Sequence, residues 1–206
     1  DLISSCAELQ EVSTFMRMLP IQTLFQKMTR MVRDLSKKTG KLARLTLSGE
    51  DTLFARNMIE KLNDPLVHMI RNAVDHGIEE TEARKATGKP PLGTVQLIAR
   101  CEKNEEKKQA IIELKDDGKG LNPKTLIEKA VSKGILESDA ELTDEEAFKL
   151  IFAAGFSTAA NVTAISGRGV GMDVVRTNIE NLGGEISITS EVGTGSTFKI
   201  KLPWGI

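Results

Sequence analysis

The sequence predicts an α+β fold: a two-layer α/β sandwich in which a mixed, mainly antiparallel sheet is covered by helices on one face. The strand-like segments occur mainly as hairpin pairs, 94–101 with 109–116 and 185–191 with 196–202. Helical segments precede and interrupt these pairs. The regular strand–helix alternation of a doubly wound parallel sheet is missing, and this combination favours the α+β class.

The helical segments share apolar residues spaced three or four positions apart. They are predicted at residues 2–19, 22–38, 56–76, 79–87, 123–133, 144–152 and 170–182. Pro20 marks the end of the first helix, and Gly40 closes the second. Within the third, Asp64-Pro65 leaves two alternatives open: one continuous helix, or a restart with Asp as N-cap and Pro at the first helical position. Residues 41–49 read as a strand, and 154–168, small and polar, as a loop.

Composition limits the classes of protein to consider. With 206 residues the chain is long enough for one domain with a substantial core. Lys and Arg total 28 against 29 Asp and Glu, so net charge gives no basis for nonspecific nucleic-acid binding. Cys6 and Cys101 are far apart and lack metal-ligand spacing, which indicates free thiols in a reducing compartment.

The chain shows neither a membrane span nor a signal peptide. No apolar run approaches the about 18 residues that a span needs, and the first residues lack a basic stretch followed by an apolar one. We therefore expect a cytoplasmic protein without membrane insertion. Since the chain begins at Asp1, we also expect it to be part of a longer protein.

The segment HMIRNAVDHG, residues 68–77, is the most informative polar pattern. His68, Asn72 and Asp75 share one face of the predicted helix, and His76 lies one turn beyond Asn72. Such a face can present oxygen and nitrogen atoms to a metal ion and a base to a reacting group. The alternative is a solvated polar face with a terminal His favoured by the helix dipole, which explains His76 better than His68 or Asn72. Both histidines of the chain lie here, which leaves no Ser-His-Asp triad or His/Cys zinc set.

Three glycine clusters accompany this segment: DDGKG at 116–120, GRGVG at 167–171 and GTGST at 193–197. GRGVG opens a helix, so its backbone could approach a phosphate, but it fits neither the Rossmann nor the Walker pattern and reads equally as a flexible turn. DDGKG alone favours a turn, although one buried carboxylate there could accept a hydrogen bond from an exocyclic amine. GTGST reads as a hairpin turn.

In this order, the segments resemble the catalytic domain of the CheA family of chemotaxis histidine kinases, within the wider ATPase group that includes gyrase, Hsp90 and MutL. The resemblance runs from about Met18 to Pro203. Its pieces are MLPIQ (18–22), RMVRDLSKKTGK (30–41), DPLVHMIRNAVDHGIE (64–79), GKPPLG (88–93), DDGKGL (116–121), IFAAGFSTA (151–159), SGRGVGMDVV (166–175) and GTGSTF (193–198). It implies the Bergerat type of ATP-binding fold.

The resemblance also implies roles for individual residues. His68 corresponds to the general base that assists phosphoryl transfer. Asn72 corresponds to the Mg²⁺ ligand, with Asp75 and His76 lining the same site and His76 a second candidate ligand. Asp116 corresponds to the carboxylate that binds the adenine amino group. The other implied ATP contacts are Gly118, Gly120 and Leu121 beside the base; Ser157 and Thr158 in a lid; Gly167, Arg168, Gly169, Val170, Gly171 and Met172 along the phosphates; and Thr197 near the adenine.

The same resemblance implies the cofactors, partners and domain limits. ATP and Mg²⁺ are the expected cofactors, and the acceptor histidine is expected on a separate phosphoacceptor domain, because both histidines here belong to the nucleotide site. In the full protein it implies dimerisation, coupling-protein and chemoreceptor contacts and a response regulator. We expect 1–19 to be the tail of a dimerisation helix, 20–203 the catalytic domain and 204–206 a C-terminal end, and the chain alone to be monomeric.

Two features depart from the family pattern: Ala154 replaces a usual Pro, and Thr125 stands where a basic residue near the phosphates is common. The main alternative function is a conformational ATPase of the gyrase or Hsp90 kind. That class usually carries Glu as its base before the Asn, whereas this chain has His68, so the kinase is favoured. A nucleotide-binding module without catalysis ranks last, because no motif is deleted.

Overall fold

A computed structural model of the chain describes residues 18–103, 108–137, 140–156 and 171–204. Its strands are β1 Met18–Pro20, β2 Ala43–Ser48, β3 Leu53–Ala55, β4 Gly93–Lys103, β5 Lys108–Asp116, β6 Glu185–Glu191 and β7 Gly195–Pro203. Its helices are α1 Gln22–Thr39, α2 Arg56–Asn72, α3 Thr81–Ala86, α4 Pro123–Ser132, α5 Asp144–Lys149 and α6 Met172–Glu180. A π-turn, Ala73–Gly77, follows α2, and a 3₁₀ turn, Leu150–Phe152, follows α5.

The main sheet has the strand order β2-β4-β5-β7-β6. Only the β2–β4 pair is parallel, and the other three pairs are antiparallel. The predicted mixed, mainly antiparallel sheet is therefore confirmed, as are both hairpins. A separate pair, β1 with β3, was not predicted, because three-residue strands are too short to show an alternating pattern.

One face of the sheet carries the core. Side chains that alternate along the central strands are buried against α1, α2 and α6. They include Val95, Leu97, Ala99, Ala110, Ile112, Leu114, Phe198, Ile200 and Leu202. The opposite face carries charged residues, among them Glu113, which pairs with Arg100 at 2.8 Å and Lys199 at 3.6 Å. The helices thus cover one face of the sheet, as the sequence predicted.

Helix α2 is continuous through Pro65, which decides between the two alternatives left open by Asp64-Pro65. Pro65 removes one backbone donor from the helix interior. Leu62, Leu66 and Met69 nevertheless lie buried along one stripe with it. A restart would rotate the second half of this stripe away from the core, so packing outweighs the cost of the missing hydrogen bond.

The two ends of the chain compare differently with the sequence-based expectations. The helix predicted at 2–19 lies almost wholly outside the described residues, and its last positions, Met18 and Leu19, belong to β1. At the other end, Trp204 packs against the core, and its backbone N–H donates to the carbonyl of Lys108 at 3.2 Å. Trp204 therefore contacts the folded domain, and the predicted domain limits stay predictions. Within the described ranges, no helix is both long and apolar enough to cross a membrane.

Candidate functional site

The candidate site begins where α2 widens into the π-turn Ala73–Gly77. Lys41, in the connection between α1 and β2, supports this turn. Its Nζ donates to the carbonyls of Val74, Asp75 and Ile78 at 3.2, 2.5 and 2.9 Å. Carbonyls at a helix C-terminus lack helical partners, and a cation suits the negative end of the helix dipole. Lys41 therefore fixes the turn that carries the predicted site residues, and π-turns of this kind are frequent at functional sites.

His68 is half-buried on α2, one turn before the π-turn. Burial lowers the pKa of its imidazole below the usual 6.5, and the positive charge of Arg71 lowers it further. Asp173, on α6, opposes this shift, while His76 adds to it. His68 is therefore a neutral imidazole near pH 7, the form that can accept a proton.

Asn72 connects α2 to the beginning of α6. Its Nδ2 donates to the Sδ of Met172 at 3.2 Å. Met172 is the first residue of α6, and Gly171, with extended backbone, caps the helix. Two predicted site segments, the α2 end and the Gly171-Met172 helix start, thus meet in the fold. Among the described residues, nothing donates a hydrogen bond to the carbonyl oxygen of Asn72.

Two buried polar atoms near Asn72 lack hydrogen-bond partners within the described part of the chain: Oδ1 of Asp75 and Nε of Arg71. Buried polar atoms are nearly always paired in native proteins, so these two atoms are candidates for contact with a partner that the described residues do not supply. His76, in contrast, is exposed. The shared site of Asp75 and His76 stays a prediction.

Asp116, at the end of β5, supplies a buried carboxylate. It is 3% exposed, and its Oδ1 accepts a hydrogen bond from the N–H of Gly118 at 2.9 Å. Burial raises the pKa of Asp116 to about 6, and the negative charges of Asp117 and Glu79 act in the same direction. The backbone amides of Gly118 and Ser196 oppose the shift. A buried carboxylate with so few partners can accept a hydrogen bond from a ligand amine.

The π-turn and the Asp116 loop are in direct contact. A Cβ atom placed on Gly77 would stand 3.3 Å from Oδ1 of Asp116, and one on Gly118 would stand 2.3 Å from the carbonyl oxygen of Gly77. The N–H of Lys119 also donates to that carbonyl at 3.0 Å. The structure therefore brings the α2 end and Asp116 together, although 40 positions separate His76 from Asp116 in the chain.

The glycines of the loop have protein neighbours that the sequence did not reveal. Gly120 adopts a left-handed conformation at φ 70°, and a Cβ there would stand 2.1 Å from the carbonyl oxygen of Glu191. Leu121 follows with its N–H donating to Oγ of Ser190 at 2.8 Å. Gly118 and Gly120 are thus required for packing against the π-turn and β6. Their contact with a base stays a prediction.

Thr197 and Asp116 do not share a face of the sheet. Thr197 lies opposite Lys115, on the face away from the helices, whereas Asp116 lies opposite Ser196. Ser196 is buried, and sequence reasoning missed it. The signal was available: Phe198 alternates with Ser196 along β7, so a buried Phe198 places Ser196 on the inner face. Ser196, not Thr197, is the β7 side chain beside the buried carboxylate.

Several predicted site residues lie outside the described part of the chain. They are Ser157, Thr158, Gly167, Arg168, Gly169 and Val170. Immediately before this segment, one lysine of α4 and the lysine that follows its last residue contact residues 155 and 156, and sequence reasoning missed both. The Nζ of Lys133 donates to the carbonyls of Gly155 and Phe156 at 2.9 and 2.8 Å, and Lys129 lies 5.0 Å from the centroid of the Phe156 ring. These lysines place basic side chains at one border of the predicted lid.

Residues 61–206 match the family described as histidine kinase-, DNA gyrase B- and HSP90-like ATPases. The chain belongs to this family. Its buried carboxylate beside a polar helix end fits the ATP-binding property in the family's description. The fold agrees with the Bergerat-type architecture that the resemblance implied.

Curated relatives narrow the comparison to chemotaxis kinases. The chain is 53% identical over 189 residues to the sensor histidine kinase CheAY of Helicobacter pylori, covering 91% of this chain and 23% of the relative. It is 48% identical to the chemotaxis protein CheA of Rhizobium meliloti, covering 95% of this chain and 25% of the relative. It is 46% identical to CheA of Bacillus subtilis, covering 95% of this chain and 29% of the relative. The chain thus spans about a quarter of the length of these relatives.

Solved structures show the same fold at low sequence identity. The catalytic domain of the histidine kinase ThkA superposes with a TM-score of 0.54 at 16% identity, covering 91% of this chain and 94% of that one. The mycobacterial sensor histidine kinase MprB superposes with a TM-score of 0.52 at 14% identity, covering 91% of this chain and 96% of that one. These likenesses support the histidine kinase catalytic fold. The chemistry has to be argued from the residues of the candidate site.

Proposed function

We propose that this chain binds Mg-ATP and transfers the γ-phosphoryl group to a histidine on a separate phosphoacceptor domain in a chemotaxis two-component system. The observation that carries the proposal is the contact between the π-turn at the end of α2 and the buried carboxylate of Asp116. The proposal is supported by a buried carboxylate beside a helix end that carries His68 and, among the described residues, an amide oxygen of Asn72 and a carboxylate oxygen of Asp75 without hydrogen-bond partners.

Asp116 recognises the adenine in this proposal. Its carboxylate accepts a hydrogen bond from the exocyclic amine. The N–H of Gly118 donates to Oδ1 of the same carboxylate and so holds the side chain in position. A charged acceptor in a buried position makes this bond strong. It also selects adenine against a base that presents an oxygen at the same position, because two acceptors would then face each other.

The α2 end holds the phosphate side of the nucleotide. Mg²⁺ takes oxygen ligands, keeps several waters and needs few protein groups when phosphates contribute. The described residues contain no cluster of three or more His, Cys, Asp or Glu able to hold a metal by themselves, which suits a metal that arrives with ATP. The open oxygen of Asn72 and Oδ1 of Asp75 fit it better than the exposed imidazole of His76. When bound, Mg²⁺ neutralises charge on the phosphates.

His68 acts as the general base. As the acceptor imidazole nitrogen forms its bond to the γ-phosphorus, the bond between that phosphorus and the β-γ bridging oxygen breaks, and ADP leaves. The proton lost by the attacking imidazole passes to His68, whose lowered pKa keeps it neutral beforehand. The rest of the catalytic effect comes from positioning and charge neutralisation.

The proposal is tested by adding γ-labelled ATP and Mg²⁺ to the 206-residue chain together with a phosphoacceptor histidine domain of a CheA relative. Acid-labile label on the acceptor is expected. Asp116→Asn should weaken ATP binding in calorimetry by more than about tenfold, the scale of a charge-assisted hydrogen bond, whereas Asp51→Asn, at an exposed carboxylate, should not.

Two results would contradict the proposal. Absence of ATP binding with and without Mg²⁺ would overturn it entirely. Release of inorganic phosphate without label on any acceptor would favour the conformational ATPase, the alternative that His68 in place of Glu argues against.

A further inference from the structure

The segment that follows the π-turn, residues 79–90, folds over the Asp116 loop through a group of four charged side chains. They are Glu79, Arg84, Lys89 and Asp117, and we call them the loop clamp. Two cations and two carboxylates make the group electrically neutral. None of the four belongs to the predicted site.

Arg84 is the centre of the loop clamp. It is 0% exposed and is among the largest fully buried side chains of the described residues. Its Nη1 donates to Oε2 of Glu79 at 2.8 Å and to the carbonyl of Asp117 at 3.1 Å, and its Nε donates to the carbonyl of Pro90 at 2.8 Å. Its Nη2 lies 3.0 Å from Oδ2 of Asp117, a charge contact without hydrogen-bond alignment. The planar guanidinium thus joins three separate parts of the chain.

Lys89 completes the clamp. Its Nζ donates to Oε1 of Glu79 at 2.7 Å, to the carbonyl of Asp117 at 3.0 Å and to the carbonyl of Gly118 at 2.7 Å. Burial disfavours the ionised form of Glu79, but the bonds from Lys89 and Arg84 outweigh it and hold the pKa of Glu79 below its usual value. Glu79 is therefore the anion that fixes both cations against the loop.

The loop clamp supplies hydrogen-bond donors to backbone carbonyls of the Asp116 loop that have no partner in the sheet. The N–H of Asp117 donates to the carbonyl of Thr94 at 3.1 Å, and Oδ1 of Asp117 accepts from the N–H of Thr94 at 2.9 Å. The N–H of Gly118 goes to Asp116 itself. Of the backbone groups of residues 117 and 118, this leaves the two carbonyls, and these are the groups that Arg84 and Lys89 bind.

We propose that Arg84 and Lys89 are positioning residues that set the selectivity for adenine by holding the Asp117 and Gly118 carbonyls, and with them the carboxylate of Asp116, in one place. The inference rests on the proposed ATP-binding function. Asp116 is joined to the clamp directly through the peptide bond to Asp117 and the hydrogen bond from Gly118. Recognition by one hydrogen bond is sensitive to small displacements of the acceptor, so loosening the loop weakens the adenine contact more than it weakens the phosphate contacts.

The test compares ATP with inosine triphosphate, which carries an oxygen in place of the adenine amine. Lys89→Met should lower the ratio of ATP to inosine triphosphate affinity, measured by calorimetry, by about tenfold, as expected from a lost hydrogen bond to a charged group. Lys85→Met is the matched control, since Lys85 lies on α3 with a half-exposed side chain that pairs with Glu82, and the ratio should stay unchanged. A merely structural role would lower both affinities equally.

A double-mutant comparison tests whether the effect of Lys89→Met on ATP affinity passes through the Asp116 carboxylate. In the Asp116→Asn background, Lys89→Met should change ATP affinity less than twofold, because its effect passes through the Asp116 carboxylate. An unchanged nucleotide ratio in Lys89→Met, or an equal loss of ATP affinity in both backgrounds, would overturn the inference. Failure of the parent chain to bind ATP would instead overturn the proposed function and the inference with it.

Should Lys89→Met fail to fold in circular dichroism, Glu79→Gln serves as the second variant. It keeps the shape of the side chain but removes the anion that holds both cations. The same fall in the nucleotide ratio is expected, and an unchanged ratio would count against the clamp.

Discussion

Gly77 lies so close to Asp116 that a single methyl group would meet its carboxylate: a Cβ on Gly77 would stand 3.3 Å from Oδ1. This contact joins the two halves of the candidate site. Gly77 is the last residue of the π-turn, which follows Asn72 and contains Asp75 and His76, and Asp116 ends β5. Backbone packing therefore fixes the distance between the proposed phosphate and adenine sites.

Gly77→Ala should weaken ATP binding severalfold and lower the free energy of unfolding by about 1 kcal/mol, because the added methyl must displace the Asp116 carboxylate. Calorimetry and urea denaturation measure the two effects. Gly134→Asn is the control, since Gly134 has a left-handed backbone, which Asn tolerates, with open space around its Cβ position. ATP affinity equal to that of the parent would show that the contact does not position Asp116.

Asp116→Asn should stabilise the protein above pH 6 while it weakens ATP binding. The pKa of Asp116 is about 6 in the folded chain against an ordinary 3.8, so the folded state holds the proton more tightly. Stability from this group is then present below about pH 4 and is lost as the pH rises towards 6. Asn cannot ionise, and we expect a gain of up to about 3 kcal/mol at pH 8.

Urea denaturation of Asp116→Asn and the parent at pH 4 and pH 8 checks this expectation. The stability difference should be small at pH 4 and largest at pH 8. A difference independent of pH would show that burial does not disfavour the ionised carboxylate. The ATP affinity of the parent should fall as the pH drops through 6, because a protonated Asp116 is a weaker acceptor.

His68→Gln should leave ATP affinity within about twofold of the parent but slow phosphoryl transfer by about 100-fold, the lower range of general-base effects. The transfer rate of the parent should decline only below pH 6.5, because the pKa of His68 lies below that value. Label transfer to the acceptor domain at several pH values measures both. Unchanged turnover in His68→Gln would assign the base to another group.

Lys41→Met should destabilise the chain by about 2 kcal/mol, because three carbonyl oxygens at the π-turn lose a charged donor. ATP affinity should fall as well, since the turn carries Asp75. Lys38→Met, at an exposed lysine in the last turn of α1, is the control. A stability loss without any change in ATP affinity would limit Lys41 to a structural role.

Much of the fold followed from local patterns. The strand-like segment 109–116 predicted β5, and Gly40 was expected to close α1. Pro65 was undecided, because a proline within a helix depends on whether the surrounding stripe is buried. The β1–β3 pair was missed, since its stability comes from partners far along the chain.

The candidate site divides in the same way. The spacing of His68, Asn72 and Asp75 predicted a shared polar face. The roles of these residues in binding and catalysis stay predictions. The π-turn at Ala73 was not predicted, because it depends on Lys41, 32 positions earlier. Thr197 was implied by the family resemblance, whereas the pairing of β7 with β5 places Ser196 opposite Asp116.

The sequence by itself determined the fold class, the order of the motifs and the family resemblance, because apolar periodicity and glycine-rich segments act over short distances. The tertiary structure decided which of these groups meet. It placed Gly77 against Asp116, gave Asp116 its raised pKa by burying it, and surrounded the Asp117 and Gly118 carbonyls with Arg84 and Lys89. Burial and long-range hydrogen bonds are properties of the packed chain, so no local pattern could supply them.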